Sequence, residues 1–218
     1  MTAPGEIVPE QEPLFVHFDG TDFAGKTTAA LSFVEQRSGK WEIRRNTLSD
    51  TNPISQLADS LDASGFYDVE VIGNLYAAAI LADIKTFQEP VENRAQDSIN
   101  ILRSIAFYSA LGHTRLETRL IDMIKDHPRF THSFVLTSSL SARKRRLNEA
   151  LLRNPERVSR NDMMIIEDPD RFLKMGKSLV NTSVRHFGST VIDTSKLTPK
   201  ETLAAINESF KPHGSEGE

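Results

Sequence analysis

The sequence predicts an α/β fold: a three-layer α/β/α domain on a five-stranded parallel sheet, with a small helical lid. Three observations predict it. Short apolar runs alternate with longer stretches whose apolar residues recur three and four apart, as strands and helices do around a parallel sheet covered on both faces. The first run ends in a glycine-rich loop that opens a helix. Seven cations crowd into eighteen residues between the fourth and fifth runs, as expected of a lid that closes over an anion.

The elements follow in order. Leu14–Asp19 is a short run of β-formers and gives the first strand. A helix runs from about Lys26 to Gln36, with Leu31 and Val34 three apart. The second strand covers about Trp41–Leu48, where Ile43 is flanked by polar residues. Ile72–Phe87 is helical, with Leu75, Ala78, Ala79 and Ala82 on one side. The third strand falls within Pro90–Asp97. Helices then cover Ser98–Leu111, through Ile99, Leu102, Ile105 and Ala106, and Arg115–Asp126, through Leu116, Leu120, Ile121 and Ile124. His132–Thr137 is the fourth strand, built on Phe134-Val-Leu. Helix Asp168–His186, strand Ser189–Asp193 and helix Thr198–Phe210 complete the set. A chain of 218 residues fits one such domain, expected over 13–210 with its lid at about 143–162. Residues 1–12, acidic and proline-rich, and 211–218 are expected as loose leader and tail.

The loop after the first strand carries the chemistry. Gly20-Thr-Asp-Phe-Ala-Gly-Lys-Thr27 fills every fixed position of G-x-x-x-x-G-K-[ST], the phosphate-binding loop of P-loop NTPases. Gly20 and Gly25 let the backbone turn tightly and aim its N–H groups at phosphates. Lys26 would reach the β- and γ-phosphates, and the Thr27 hydroxyl would bind magnesium. Phe23, Ala24 and Thr28 complete the expected ATP cradle, and the following helix sets its positive end at the same anion. Strand, loop and helix in this order supply the context that the motif requires. ATP and Mg²⁺ are the ligands it implies.

The basic segment runs Arg143-Lys-Arg-Arg146 and then Arg153, Arg157 and Arg160, against Glu149 and Glu156. Its forks suit phosphate oxygens, although a solvated helix face is the alternative. No aromatic residue is interleaved for base stacking, and the net charge is −4, so nucleic acid is not the expected partner. No apolar run approaches the ~18–20 residues of a membrane span. Zero cysteines exclude disulfides and thiolate chemistry and fit a cytoplasmic protein. The six histidines show no metal spacing, and His17 reads as a packed or paired strand residue. Phe66-Tyr67 and Phe107-Tyr108 suit either base stacking or core.

Four stretches resemble thymidylate kinase and its nucleoside-monophosphate-kinase relatives. They are Phe18–Thr28, Phe134–Leu147, Asp162–Phe172 and Val191–Ser195, within a resemblance spanning about Leu14 to Phe210. The resemblance implies transfer of the ATP γ-phosphoryl group to a dTMP-like nucleoside monophosphate. It places Asp22 beside the acceptor's sugar and Arg143 at the donor, and makes Asp97 the carboxylate that holds magnesium or orients the acceptor. It makes Arg153, Arg157 and Arg160 the lid arginines, since Phe23 stands where some relatives carry an arginine. It implies a homodimer, for which the Ser98–Leu111 helix is one candidate interface and core the other reading.

The departures concern the acceptor. Arg45-Asn-Thr-Leu-Ser-Asp-Thr-Asn-Pro53 replaces the family's Arg-Glu-Pro-Gly-Gly. Ala82-Asp83-Ile84 and Asp97-Ser98 each lack the family's arginine, with Asp83 and Arg103 the nearest acceptor-binding candidates. The acceptor thus stays open between a monophosphate, a nucleoside and a non-nucleotide metabolite. A nucleotide-binding regulatory protein without turnover is the reading from a different class.

Overall fold

Six consecutive buried residues form the central strand β1, Phe15–Gly20. A strand buried on both faces reads as a continuous apolar run, and here only His17 and Asp19 interrupt it. The computed structural model of the chain describes residues 12–49 and 51–210; for Arg157, Arg160 and Asn161 it describes the backbone alone. Most of the expected leader and all of the expected tail lie outside the described residues.

The other strands are β2 (Trp41–Asn46), β3 (Asn93–Ile99), β4 (His132–Thr137) and β5 (Thr190–Asp193). They pair in the order β2-β3-β1-β4-β5, all parallel. Among the described residues the helices are α1 (Lys26–Glu35), α2 (Pro53–Ser64), α3 (Val69–Thr86), α4 (Asn100–Leu111), α5 (Thr114–Met123), α6 (Leu140–Arg153), α7 (Arg160–Glu167), α8 (Pro169–Phe187) and α9 (Pro199–Ser209). The expected α/β fold with five parallel strands is the observed one.

Four apolar clusters form among the described residues, two of them large. Phe18, Phe33, Phe134, Leu136, Leu203 and Ile206 bind α1 and α9 to one face. Ile80, Leu102, Ile105, Leu116 and Leu120 join α3, α4 and α5 in the other cluster. The apolar side of α4 is therefore spent inside the monomer, with Ile101, Leu102, Ile105 and Ala106 buried.

Three elements differ from the sequence expectation. Helix α2 is absent from it, although Asn52-Pro53 is a sound start: the Asn52 side chain accepts from Ser55 N at 3.0 Å, and Pro53 sits in the first turn. Helix α7 is likewise absent, although Ser159 and Asp162 form a capping box. The third difference matters more. Asp97 lies in β3 as expected, but Ser98 does not begin a helix: β3 runs on to Ile99, which pairs with Asn46 on β2. Ser98 then turns with φ 69°, and the helix starts at Asn100.

His127 makes the fold sensitive to acid. It is buried against Phe130 and Phe187, and burial pushes its pKa down to about 4, with its bond to the Pro128 carbonyl working the other way. An unfolded histidine titrates near 6.5. Above that pH both states are neutral and the site costs nothing. As pH falls from 6.5 to 4, the unfolded chain takes the proton first, and about 3 kcal/mol of stability is lost. Urea midpoints at pH 7 and pH 4.5 should fall further apart in the native chain than in His127→Gln.

Candidate active site

The site lies beyond the carboxyl ends of β1, β3 and β4, where open parallel sheets bind ligands. The loop after β1 is shaped by its glycines. Gly20 has φ 150°, and a Cβ there would stand 2.3 Å from the Leu136 carbonyl oxygen. Gly25 has φ 94° and precedes the first turn of α1. Asp19, fully buried, braces the loop from below: one carboxylate oxygen accepts from Gly20 N at 2.7 Å and the other from Ile99 N at 3.3 Å. His17 lies 3.3 Å from Asp19 and bonds Ser133 at 2.9 Å, so it is paired inside the sheet.

Phe23, Asn46 and Ser98, the non-glycine residues with positive φ among those described, all lie at this site. Such dihedrals cost about 1–3 kcal/mol each and persist where the surroundings enforce them. Gln96 supplies part of that enforcement by donating to the carbonyls of Thr47 and Ser98 at 3.1 and 3.0 Å.

Two linked clusters follow. In the first, Lys26 Nζ stands 3.2 Å from Asp22 Oδ1, and Arg103 Nη2 stands 3.4 Å from the same oxygen. Burial alone would raise the Asp22 carboxyl, but Lys26 and Arg103 outweigh it and hold the pKa below the usual range. In the second, the Thr27 hydroxyl donates to Asp97 Oδ2 at 2.7 Å, and Arg45 Nε reaches that oxygen at 3.3 Å. Asp97 Oδ1 and Ser98 Oγ are buried without hydrogen-bond partners among the described residues. An orphaned carboxylate oxygen beside the P-loop hydroxyl fits a magnesium ion, which takes one or two carboxylates plus phosphate oxygens.

A cavity of about 300 Å³ opens from Asp22 between α2, α3 and α4. Asn46 and Arg103 line it, Phe107 and Phe172 form apolar walls, and Asp59, Asp62, Tyr76 and Tyr108 line it as well. Arg103 reaches Asn46 Oδ1 at 3.5 Å as well as Asp22, so it links the loop to the end of β2.

The arginines of α6 divide by helical face. Arg143 is buried; its Nε donates to Ser138 at 2.9 Å, its Nη1 donates to the Thr21 hydroxyl, and it lies 5.1 Å over the Phe172 ring. Burial pushes it down to about 10, while Asp22 pulls it back up. Arg146, one turn on, donates to the Phe23 carbonyl at 2.8 Å and the Thr194 carbonyl at 2.6 Å. Thr194 in turn donates to the Ala24 carbonyl at 2.8 Å. Arg146 therefore clamps the phosphate loop to the end of β5. Arg146→Ala should raise the KM for ATP several-fold with little loss of fold, read by steady-state kinetics and thermal melting.

No protein-family model matches the sequence, and no curated protein does so either. Solved structures do match. Thymidylate kinase from Candida albicans superposes with a TM-score of 0.67 at 15% identity, covering 91% of each chain. The fold is that of thymidylate kinase. The Ehrlichia chaffeensis thymidylate kinase gives 0.58 at 13% identity, over 91% of this chain and 98% of that one. Deoxyadenosine kinase from M. mycoides, solved with the products dCMP and dCDP, gives 0.56 at 18% identity, over 89% of this chain and 97% of that one.

Of the residues expected from sequence, the thymidylate kinase fold brings Gly20, Asp22, Lys26, Thr27, Asp97 and Arg103 together. Phe23 and Ala24 belong to the loop and are gripped by Arg146 and Thr194, and Thr28 is exposed on α1. Asp83 is elsewhere. It is buried on α3, and its oxygens accept from Leu48 N at 2.5 Å, Ser49 N at 2.9 Å and Ser49 Oγ at 2.5 Å. Its carboxylate thus fastens the loop after β2 and has no face toward the cavity lining. Arg143 stands under the loop and within the fold rather than at the edge of a lid. Arg153 is exposed at the end of α6, in a hollow it shares with Phe23, Arg146 and Glu149. The side chains of Arg157 and Arg160 lie outside the described residues.

Two site residues were hidden in the sequence. Arg45 looks like one polar residue among several at the end of a strand, and only the pairing of β2 with β3 brings it to Asp97. Arg146 is the last of four consecutive cations; three-residue spacing from Arg143 marks it as facing the loop too.

Proposed function

We propose that the protein is a magnesium-dependent phosphotransferase that moves the γ-phosphoryl group of ATP to a small acceptor held between α2, α3 and α4. One observation carries this reading. Asp22 joins the two halves: Lys26 of the phosphate loop and Arg103 of the cavity meet on a single carboxylate oxygen.

The chain's own residues would act by placement and charge, which is most of what phosphoryl transfer asks of a protein. Loop N–H groups and the start of α1 would hold the donor phosphates. Lys26 would leave Asp22 for the β- and γ-phosphates. Thr27 and Asp97 would hold Mg²⁺, which when bound neutralises charge on the donor phosphates. Asp22, kept ionised by its cations, would accept a hydrogen bond from the acceptor hydroxyl and align it. Arg103 stands on the acceptor side of the same point, and Arg45 pairs with Asp97. Arg153, with Arg157 and Arg160, would bring further positive charge from the lid.

A dTMP-like monophosphate is the acceptor that the fold likeness supports. The cavity lining favours a second reading, a nucleoside or other unphosphorylated metabolite. It carries three carboxylates, Asp22, Asp59 and Asp62, against one guanidinium, Arg103, which is already paired with Asp22. A dianionic phosphate entering there would meet net negative charge. Coupled ATP-consumption assays over monophosphates, nucleosides and small alcohols test both readings. Turnover should vanish with EDTA and return with Mg²⁺. ATP binding with no turnover on any acceptor would move the assignment to a regulatory nucleotide-binding protein.

A further inference from the structure

The cavity has a second polar region that nothing in the transfer chemistry uses. Asp59 and Asp62 lie three apart on α2, hence on one side of it, and both line the cavity. Tyr76 from α3 and Tyr108 from α4 line it with them. The Tyr76 hydroxyl donates to Asp59 Oδ1 at 2.7 Å. Both carboxylates are exposed at the cavity, and Asp59 Oδ2 and both oxygens of Asp62 have no protein donor among the described residues. Tyr108 is 2% exposed, yet its hydroxyl has no hydrogen-bond partner among them either. Burial, and the charge of Asp62 after it, push that hydroxyl up to about 12, so it stays protonated and Asp62 lies close by. The Tyr108 ring is buried while its hydroxyl reaches the cavity, where it can donate to or accept from a ligand atom.

We infer that Asp59, Asp62 and Tyr108 form a subsite for an amino group, so that the acceptor carries an amine at a distance from the hydroxyl it presents to Asp22. This rests on the phosphotransferase reading, but not on whether the acceptor carries a phosphate. The lining at this end is acceptor-rich: ionised carboxylates only accept, while an amine brings two or three N–H donors. The one cation of the lining, Arg103, is held on Asp22 at the other end. A carbonyl placed here would face two carboxylates with the Tyr108 hydroxyl as its one donor, so the arrangement favours amines over oxo compounds. Both an exocyclic amine on a nucleobase and an alkylammonium on an amino sugar or amino alcohol have this chemistry.

Matched pairs separate the sources. Initial rates with Mg-ATP should be compared for dCMP and dTMP, deoxycytidine and thymidine, and glucosamine and glucose. In at least one pair the amine-bearing member should be preferred about tenfold or more in kcat/KM. The pair that responds identifies the source, base amine or alkylammonium. Asp62→Asn should erase most of that preference through KM, with the KM for ATP unchanged. Equal or reversed selectivity in every pair, or a preference untouched by Asp62→Asn, overturns the subsite. If no acceptor turns over, the phosphotransferase reading fails, and calorimetry with a non-hydrolysable ATP analogue present still decides the subsite. Amine-selective binding lost in Asp62→Asn supports it, and indifferent or absent binding overturns it.

Discussion

Lys26→Ala is expected to lower kcat by at least about 10²–10³-fold, the loss typical of one preorganised donor to a developing anion. The fold should survive. Lys26 contributes a single partly exposed ion pair to Asp22, and such a pair is worth little to stability. Arg103 remains on the same carboxylate, so Asp22 keeps a cation and stays ionised. Thermal melting within a few degrees of the native chain, beside a collapse of turnover on the best acceptor, is the expected pair of results. Near-normal kcat would remove Lys26, and with it the phosphotransferase reading, from the site.

Gly20→Ala should cost stability and site geometry together. The added Cβ would meet the Leu136 carbonyl oxygen at 2.3 Å, and that oxygen belongs to a central strand that cannot retreat. Overpacking of this kind costs about 2 kcal/mol, and placing alanine at a glycine-only dihedral costs about 2 more. A loss of about 4 kcal/mol is large against the total of ~5–15 for a domain. Urea denaturation should register it. Any chain that still folds should bind ATP poorly, because β1 must move away from β4 just where the loop begins. Gly25→Ala is the useful comparison: its Cβ would meet nothing within 4 Å, so only the dihedral cost at φ 94° applies.

The ends of the elements show where local pattern stopped being informative. Strands β1 and β4 and helices α1, α3, α5, α8 and α9 follow from apolar spacing and turn residues, because those signals act within a few residues along the chain. The Asp97–Ser98 step does not follow. Ser98 locally resembles a helix start, and it stays in the strand because Asp97 and Ile99 on either side of it pair with neighbouring strands. Asp83 shows the same limit. Its place on α3 is legible, but the three donors that occupy it arrive from a loop more than thirty residues earlier in the chain.

The phosphate loop is the part that the sequence alone determined. Its glycines, Lys26 and Thr27 form one contiguous run between a strand and a helix, so neighbouring residues suffice to identify the loop. The strand order β2-β3-β1-β4-β5 is seen only in the structure. The tertiary structure decided the rest. It brought Asp97 and Arg45 to Thr27, split the basic run into Arg143 beneath the loop and Arg146 clamping it, and gathered Asp59, Asp62 and Tyr108 from two helices around one cavity. Those residues lie far apart along the chain, and the distances between them are set by packing, which no local spacing records.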